Sequence, residues 1–419
     1  MKVQFLGGAR EIGRSAILVN DSLLLDYGIK TATPLQYPIG DVNPEAVVVS
    51  HGHLDHAGAV PALLTGDERP PIHWTAPTRA LALTLAEDTL KLHGNTLQCP
   101  FTDTHVRRVT QVSQTHQYGE PFEAAGHEVT LFNAGHIPGS SHILVDDGET
   151  RLLYTADFQP ATEGTDEKSR EQRLVEGSSA RPDADVVITE STYANERHTD
   201  RAVLEQQFAE SVRTTIWEGG TVIVPVFAIG RAQELLLVCS AHDIDCYLDG
   251  MAKQVTQLVR QYPSFLRDSD ALKRAKANAR FVTGRAGQRT RIARKNTTIL
   301  TTAGMLGGGP VVSYIREIRR NPTNKITLTG YQVEGTPGRE LLDTGRAEFD
   351  GQVLPVSAQT EQYNFSAHAD RDGLRSFLEH YRDSTVLVNH GDDCTGFANR
   401  LCEGGFDASA PALGDAIEL

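Results

Sequence analysis

The sequence has 419 residues, which at about 100–200 residues per domain indicates two or three domains with a large buried core. Hydrophobic residues make up 39% and charged residues 22%, and no run approaches the roughly 18 apolar residues that span a bilayer, so we expect no membrane partner. The first residues lack the apolar core of a signal peptide, which predicts a cytoplasmic protein. The five cysteines form no CxxC pair, which excludes a disulfide framework and a thiolate zinc module.

Short apolar or alternating runs between turn residues predict strands in the first 192 residues. These runs are residues 2–6, 15–19, 22–26, 46–50, 127–132, 142–145, 151–155 and 184–189. Residues 77–93 lack strand character and predict a helix. We therefore expect a mostly antiparallel sheet assembly with helices on its outer faces.

The pattern changes after residue 192. Apolar residues recur at every fourth position from Leu204 to Ile216 behind Asp200, which predicts a capped helix that ends at Gly219. Strands then alternate with helices, such as the one predicted over 231–240, which is typical of a parallel, doubly wound sheet. The predicted strands are residues 221–227, 246–248, 281–282, 298–301 and 326–328, followed by 352–356 and 385–389 and a short helix before residue 405.

The net charge of −14 argues against a nucleic-acid partner, but the charge is unevenly distributed. Residues 271–316 contain no Asp or Glu, and Arg285, Arg289 and Arg291 lie among the Lys and Arg residues there. Two interpretations stay open. Either the stretch neutralises neighbouring acids on a solvated face, or its arginines and the backbone of the glycine-rich loop that begins at Gly304 contact phosphates.

Three histidines and an aspartate follow a buried apolar strand in the segment from Val47 to His56. Imidazole and carboxylate ligands without thiolate favour zinc, or manganese or iron. Four ligands on one short loop cannot all reach one tetrahedral ion without strain, so the spacing indicates two ions. Further candidate ligands lie at the ends of predicted strands: His136, Asp157 and His390.

This pattern resembles the His-x-His-x-Asp-His motif, with a distant His and Asp, of the metallo-β-lactamase-fold hydrolases. The matching residues are His51, His53, Asp55, His56, His136 and Asp157. Asp26 matches the first motif of that superfamily, a carboxylate that steadies the ligands.

Three later segments resemble the additional motifs of the β-CASP nucleases within this superfamily. They begin at Glu190, Phe365 and Asn389, and they contain His368 and His390. Asn389 stands where many relatives carry Val. The pattern is most similar to that of archaeal homologues of the cleavage and polyadenylation specificity factor nuclease, which are described as mRNA 3′-end processing factors.

The resemblance implies an α/β fold, an αββα metallo-β-lactamase sandwich with an inserted doubly wound β-CASP domain. The expected domains are the N-terminal part of the sandwich (1–192), the insertion (193–362) and the C-terminal part of the sandwich (363–419). An inserted domain of this size is suited to clamping a polymer, and a cleft between two domains would admit a single strand more easily than a duplex.

The resemblance also implies the roles of individual residues. One zinc is expected on His51, His53 and His136, a second on Asp55, His56 and His390, and Asp157 bridges both. Two adjacent cations stabilise charge on the entering and leaving oxygens of a phosphodiester, which makes that bond a fitting target. The expected catalytic residues are Asp55, Glu190 and His368, the last two as a proton-transfer pair.

The sequence therefore predicts a zinc-dependent ribonuclease that leaves 5′-phosphate and 3′-hydroxyl ends on single-stranded RNA. A catalytically silent RNA-binding scaffold is disfavoured because every ligand position is filled, and a DNA repair nuclease because DNA-acting relatives carry Val in place of His390. A homodimer is an open expectation for the assembly. The expected RNA contacts are Arg285, Arg289, Arg291, Gly304 and Arg339.

Overall fold

The structure, a computed structural model, describes residues 1–32, 34–96, 98–161 and 171–419. The chain divides into two compact units. The first unit comprises Met1–Glu163, Gly177–Arg197 and Ala367–Leu419, and the second comprises Gly164–Glu176 and His198–Ser366. Among the described residues, no helix combines the length and the apolar character needed to cross a bilayer.

Strands dominate the part of the first unit that precedes residue 198. The strands there are β1 (Lys2–Gly7), β2 (Ala16–Val19), β3 (Leu23–Leu25), β4 (Ala46–Val48), β5 (Ile72–Trp74), β6 (Ser113–Thr115), β7 (Phe122–Ala124), β8 (His127–Asn133), β9 (Ser141–Asp146), β10 (Arg151–Tyr154) and β11 (Val186–Thr189). The helices are α1 (Leu54–Ala57), α2 (Ala76–His93) and α3 (Asp103–Val112), with a 3₁₀ segment at Val60–Leu64.

Helices and strands alternate through the second unit. Its helices are α4 (Arg201–Trp217), α5 (Arg231–Ala241), α6 (Ala252–Val259), α7 (Ser269–Asn278), α8 (Gln288–Ala293), α9 (Pro310–Ile318) and α10 (Pro337–Thr344). Its strands are β12 (Val222–Pro225), β13 (Cys246–Asp249), β14 (Arg280–Phe281), β15 (Thr298–Thr301), β16 (Lys325–Leu328), β17 (Arg346–Phe349), β18 (Gln352–Pro355) and β19 (Gln359–Gln362), with a 3₁₀ segment at Pro263–Phe265.

The last part of the chain returns to the first unit. It contributes α11 (Arg371–Leu378), β20 (Thr385–Val388), α12 (Cys394–Glu403), β21 (Asp407–Ser409) and β22 (Ala416–Glu418), with a 3₁₀ segment at Glu379–Tyr381. The predicted helices over 77–93 and 231–240, the helix behind Asp200 and the helix before residue 405 are all confirmed, with ends that differ by one or two residues.

The first unit contains two sheets of seven described strands each, in the orders β22-β1-β2-β3-β4-β5-β6 and β21-β20-β11-β10-β9-β8-β7. The prediction of a mostly antiparallel assembly is wrong, because β3 to β6 and β10, β11, β20 and β21 pair in parallel. Parallel neighbours need crossover connections. Helix α1, the pair α2 and α3, and helix α12 supply three of these crossovers, and each covers an outer face.

Alternate residues of the strands of the first unit enter different cores. Leu23 and Leu25 point into a cluster that both sheets share, whereas Leu24 points outward into a cluster with residues of α1 and α2. On the second sheet, Val187 likewise belongs to an outer cluster with α11 and α12. Because both faces of these strands are buried, the unit consists of two sheets between two helical layers, which confirms the αββα sandwich.

The second unit is built on a sheet in the order β14-β13-β15-β12-β16-β19, in which every pair is parallel. Ile223, Ile299 and Ile326 pack with α8, α9 and α10 on one face. Helices α4 and α5 contact β12 and β15 without entering that cluster. The predicted doubly wound sheet is thus confirmed, and β17 and β18 form a separate antiparallel hairpin beside it.

The candidate site residues of the first unit collect at one edge of the sandwich because strands end there. Strands β8, β10, β11 and β20 run in one direction, so their carboxyl ends share an edge. The residues that follow strand ends are Asp26 after β3, His51 after β4, His136 after β8, Asp157 after β10, Glu190 after β11 and His390 after β20.

Candidate metal centre

The histidine-rich loop begins two residues after β4 and ends in the short helix α1. His51 is fully buried, His53 immediately precedes α1, and Asp55 and His56 lie within the helix. The segment after β3 packs closely against this helix. A Cβ atom added to Gly28 would lie only 1.7 Å from the carbonyl oxygen of Asp55, so only glycine fits at this position.

Asp26 fixes the orientation of the loop imidazoles. Its carboxylate accepts hydrogen bonds at 2.7 Å from both the amide and the hydroxyl of Ser50, and its Oδ2 lies 2.7 Å from His56 Nδ1 and 2.9 Å from the hydroxyl of Tyr154. The Ser50 hydroxyl in turn lies 3.1 Å from His51 Nδ1. Both imidazoles are therefore held through Nδ1, and each turns its Nε2 toward the ligand groups.

A first group of ligand atoms comes from His51, His53, His136 and Asp157, and its atoms lie within 4.8 Å of one another. His136 Nδ1 donates to the carbonyl oxygen of Ala367 at 2.8 Å, so its Nε2 carries a lone pair in the neutral ring. That Nε2 faces His53 Nδ1 at 3.0 Å. Two ring nitrogens aimed at each other in this way are suited to a shared cation.

A second group comes from Asp55, His56, Asp157 and His390, under the same 4.8 Å limit. His390 Nδ1 lies 2.9 Å from the hydroxyl of Ser15, and its Nε2 lies 3.7 Å from Asp55 Oδ2. Ser15 thus holds His390 through Nδ1, as Asp26 holds His56.

Asp157 belongs to both groups and presents a different oxygen to each. Its Oδ2 lies 3.7 Å from His51 Nε2 and 3.9 Å from His136 Nε2. Its Oδ1 lies 3.4 Å from His56 Nε2 and 3.6 Å from His390 Nε2. One carboxylate therefore connects the two ligand groups.

Protonation within the groups follows burial and local charge. Burial lowers the pKa of His51 and His136 well below the ordinary imidazole value, and neighbouring imidazoles lower it further, so both rings are neutral, as ligation requires. Burial alone would lower the pKa of His56, but the carboxylates of Asp157 and Asp26 raise it. Although burial opposes ionisation, His390 and His56 hold the pKa of Asp157 well below its usual range.

The donor set fits metal ions. Within the described part of the chain, the buried atoms His51 Nε2 and Asp157 Oδ1 make no hydrogen bond, although buried polar atoms are normally paired. A cation would satisfy both atoms. Nitrogen and oxygen donors without sulfur suit zinc, with manganese and iron as the next candidates.

Glu190 and His368 form a pair beside the ligand groups. His368 Nδ1 lies 3.0 and 3.1 Å from the two carboxylate oxygens of the fully buried Glu190, and His368 Nε2 lies 4.0 Å from Asp157 Oδ2. The amide of Phe158 also donates to Glu190. Burial alone would lower the pKa of His368, but Glu190 and Asp157 raise it to about 9, so the ring is protonated at neutral pH.

Three domain families match the chain. The metallo-β-lactamase superfamily matches residues 10–192, the β-CASP domain matches residues 232–341, and the Zn-dependent metallo-hydrolase RNA specificity domain matches residues 353–411.

Curated relatives match over the whole length of the chain. Probable RNase MJ4 of Methanocaldococcus jannaschii is 34% identical, and the match covers 100% of both chains. RNase aCSPSF2 of Saccharolobus solfataricus is 35% identical over 100% of this chain and 85% of that protein. The chain belongs to the metallo-β-lactamase-fold β-CASP ribonucleases.

Two further matches are more distant. Transcription termination factor FttA of Methanothermobacter thermautotrophicus is 30% identical over 93% of this chain and 66% of that protein. A crystal structure of a protein of unknown function from Enterococcus faecalis V583 superposes with a TM-score of 0.60 at 13% identity, over 100% of this chain and 99% of that chain, and this likeness shows the fold alone. The zinc-dependent family and the ligand groups together support a metal cofactor for this β-CASP ribonuclease.

The predicted RNA contacts lie in the second unit, in differing surroundings. Arg289 Nε binds the buried Asp249 at 2.7 Å, and Arg339 binds Asp343 at 2.8 Å. Gly304 is buried beneath Phe227. Arg285 and Arg291 are exposed, and neither has an acid within 4.0 Å among the described residues.

Several supporting residues of this β-CASP ribonuclease were not predicted. Ser15, Ser50 and Tyr154 bind the ligands or Asp26, but a hydroxyl beside a buried strand gives no distinctive sequence signal. His142 is buried, with Nδ1 2.8 Å from the Thr155 carbonyl and Nε2 2.8 Å from the Ser178 hydroxyl. The sequence offered one signal for His142, which is that it follows the candidate ligand His136 closely.

Proposed function

We propose that this chain is a two-zinc ribonuclease that hydrolyses RNA phosphodiester bonds and leaves 5′-phosphate and 3′-hydroxyl ends. The observation that carries the proposal is the position of Asp157, whose two oxygens face separate groups of imidazoles at 3.4–3.9 Å. A carboxylate that faces two ligand groups is the natural bridge of a two-metal site.

The proposed ligands follow the two groups. His51, His53 and His136 would hold one ion, Asp55, His56 and His390 would hold the other, and Asp157 would bridge them. When bound, two adjacent cations would polarise the phosphodiester and lower the pKa of a water molecule between them. Asp26 and Ser15 would keep the imidazoles in the tautomer that ligation needs.

His368 is the proposed general acid. Its ring is held through Nδ1 by Glu190, so Nε2 is the atom that would give a proton to the departing 3′ oxygen. Glu190 would keep the imidazolium charged and oriented. Asp55 is the third proposed catalytic residue. It would act as a metal ligand at the edge of the site, where its side chain is 30% exposed.

We also propose that the second unit contacts RNA through Arg285, Arg289, Arg291, Gly304 and Arg339. Arg285 and Arg291 are the members with the most direct access to phosphates, since Arg289 and Arg339 already bind carboxylates. The division into domains at 1–192, 193–362 and 363–419 remains a proposal as well.

The proposed compartment is the cytoplasm. All five cysteines are free thiols, as is usual in a reducing environment. A homodimer is the proposed assembly, and sedimentation of the purified chain would test it.

The function is tested by incubating the zinc-loaded chain with end-labelled and uniformly labelled RNA and with DNA of the same sequence. We expect cleaved RNA with ligatable 5′-phosphate ends, intact DNA, and no cleavage by Asp157→Ala. RNA that is bound by a zinc-loaded chain but never cleaved would support the scaffold interpretation instead. Cleavage of DNA would point to the repair nucleases.

A further inference from the structure

The second unit has a pocket of about 570 Å³ at the amino-terminal edge of its parallel sheet. The pocket lies between the carboxyl end of α4, the start of β13 and β14, and the loop that leads into β15. Gly304 and the Asp249–Arg289 pair follow the carboxyl ends of β15 and β13, at the opposite edge of the same sheet. The pocket is therefore separate from Gly304 and Arg289, and none of the five proposed RNA contacts lines it.

Aromatic rings are displayed in this pocket. Trp217, the last residue of α4, is 87% exposed, and Tyr247 of β13 also lines the pocket. Val212 and Ile216 of α4 form part of the apolar floor. An indole ring that is this exposed contributes little to the stability of the fold. Proteins that bind single-stranded nucleic acids use such flat aromatic rings to stack against bases of any sequence.

The pocket lining carries one more positive than negative charge, although the whole chain carries −14. Three cationic residues line the pocket against two acids, Asp243 and Asp245. Arg280 lies 3.9 Å from Asp245, and its guanidinium sits 5.8 Å from the centre of the Tyr247 ring. The exposed ammonium group of Lys295 has no acid within 4.0 Å in the described part of the chain. The local excess of positive charge complements phosphate.

The surface of the pocket therefore offers an exposed indole ring, a phenol ring and an exposed lysine to a ligand.

We propose that this pocket binds an unpaired nucleotide of an RNA strand, with its base against Trp217 and its phosphate against Lys295 and Arg280. A volume of about 570 Å³ lies within the range of small-ligand pockets of about 300–1,000 Å³, which admits a nucleotide. The choice of RNA over another polyanion rests on the proposed function, but binding here does not depend on cleavage. The pocket would bind this nucleotide through residues of the second unit alone, whereas the metal centre is built from residues of the first unit.

The test uses tryptophan fluorescence of the full-length chain, because the sequence contains only two tryptophans. Trp74 is fully buried in β5, so a Trp74→Phe variant reports on Trp217 alone. A chelator keeps the RNA intact while a short unstructured RNA is titrated. We expect RNA to quench Trp217 and to protect it from acrylamide.

Variants then assign the contacts. Trp217→Ala should weaken RNA binding about tenfold, measured by anisotropy of labelled RNA, whereas Trp217→Phe retains a stacking ring and should lose much less. Lys295→Gln should flatten the slope of log affinity against log salt by about 0.7. Lys273→Gln is the matched control, since Lys273 is an exposed lysine of the same acid-free stretch that does not line the pocket.

Three results would overturn the inference. In the first, RNA leaves the emission of Trp217 unchanged. In the second, the Trp217→Ala chain binds RNA with undiminished affinity. In the third, Trp217→Ala abolishes self-association of the chain but keeps RNA binding, which would assign the pocket to a second copy of the chain. RNA that quenches Trp217 but is not cleaved after zinc is restored would overturn the proposed function and leave this inference standing.

Discussion

His368 lies outside the two four-residue ligand groups, although it faces the carboxylate that connects them. Its Nδ1 binds Glu190, and its Nε2 lies 4.0 Å from Asp157 Oδ2. Because proton transfer by a positioned side chain contributes about 10²–10⁴-fold, we expect His368→Ala to lower turnover by that factor. Elemental analysis should find unchanged zinc. Loss of an ion in this variant would make His368 a ligand.

Asn389 is a polar residue whose removal should stabilise the protein. It is fully buried beside His390, and neither atom of its amide group makes a hydrogen bond among the described residues. A buried unpaired polar group costs about 1–3 kcal/mol. Asn389→Val should therefore raise the free energy of unfolding by about 1 kcal/mol, as measured by urea denaturation, with zinc content unchanged.

Asn324 provides the matched control. Its buried amide accepts from the Thr221 amide at 2.9 Å and donates to the Ile318 carbonyl at 3.0 Å. Asn324→Val should therefore lower the free energy of unfolding by about 1–3 kcal/mol. Equal effects of the two substitutions would show that Asn389 has a partner that the structure does not reveal.

At the residue scale, the sequence was informative where chemistry restricts residue type. The grouping of the loop histidines with Asp157 could be predicted because few side chains bind zinc and their spacing is distinctive. Ser15 and Tyr154 could not, since a hydroxyl acquires its role only from the fold that brings it to His390 or Asp26. Such partners are visible only in three dimensions.

At the scale of elements, the site depends on how the chain turns at strand ends. Asp26, Ala156 and His390 all adopt positive φ angles, of 59°, 47° and 46°, one or two residues after β3, β10 and β20. Non-glycine residues seldom adopt this left-handed conformation, and it tends to occur at functional sites. These turns direct the candidate ligands across the edge of the sandwich.

The contact between Gly28 and helix α1 is the sharpest test of this arrangement. A Cβ at Gly28 would lie 1.7 Å from the Asp55 carbonyl oxygen, so Gly28→Ala must displace the turn that carries Asp55 and His56. We expect loss of the ion on that side and a fall in RNA cleavage of about 100-fold, since misplacement by about 1 Å can cost that much. Gly66→Ala, with no atom within 4 Å, is the control and should match the wild type.

His142 of β9 donates a hydrogen bond to the carbonyl oxygen of Thr155, which follows β10. We expect this contact to make a pH-dependent contribution to the free energy of unfolding. Burial lowers the pKa of His142 to about 4, while the unfolded chain binds a proton near 6.5. The unfolded state therefore binds more protons as the pH falls from 6.5 to 4, and stability is lost over that window. The advantage of wild type over His142→Gln in urea unfolding should shrink by about 3 kcal/mol between pH 7 and pH 4. A difference independent of pH would contradict the neutral buried state of His142.

Strand positions were largely predictable, but strand direction was not. The runs around β1, β8 and β15 were recognisable because apolar alternation is local. The direction of a neighbouring strand is set by crossovers such as α12, and no alternation pattern reports it. For this reason, the sequence did not predict the mixed sheets of the first unit.

At the scale of the whole molecule, family membership explains why the architecture could be predicted. The motifs span the chain from Asp26 to His390, and each falls at a strand end or in a loop beside one. The basic stretch of residues 271–316 was harder to interpret. Arg289, Arg294 and Arg316 each bind an acid outside the stretch, which the sequence could not reveal.

Part of that stretch therefore neutralises neighbouring acids, as one of the two interpretations expected. Arg285 and Arg291 remain available for phosphate, and the Trp217 pocket adds a surface that no motif marks. The lining of the pocket comes from α4, β13, β14 and the start of β15, which are distant in the sequence. No local pattern could have predicted it.

The central claim is that RNA hydrolysis by this chain needs two zinc ions joined by Asp157. It is tested most directly by removing all metal and then titrating zinc while RNA cleavage is followed. Two ligand groups that share one carboxylate predict that activity stays low through the first equivalent and rises to its maximum as the second binds. Full cleavage at one equivalent of zinc, or cleavage that persists in the metal-free chain, would contradict the account.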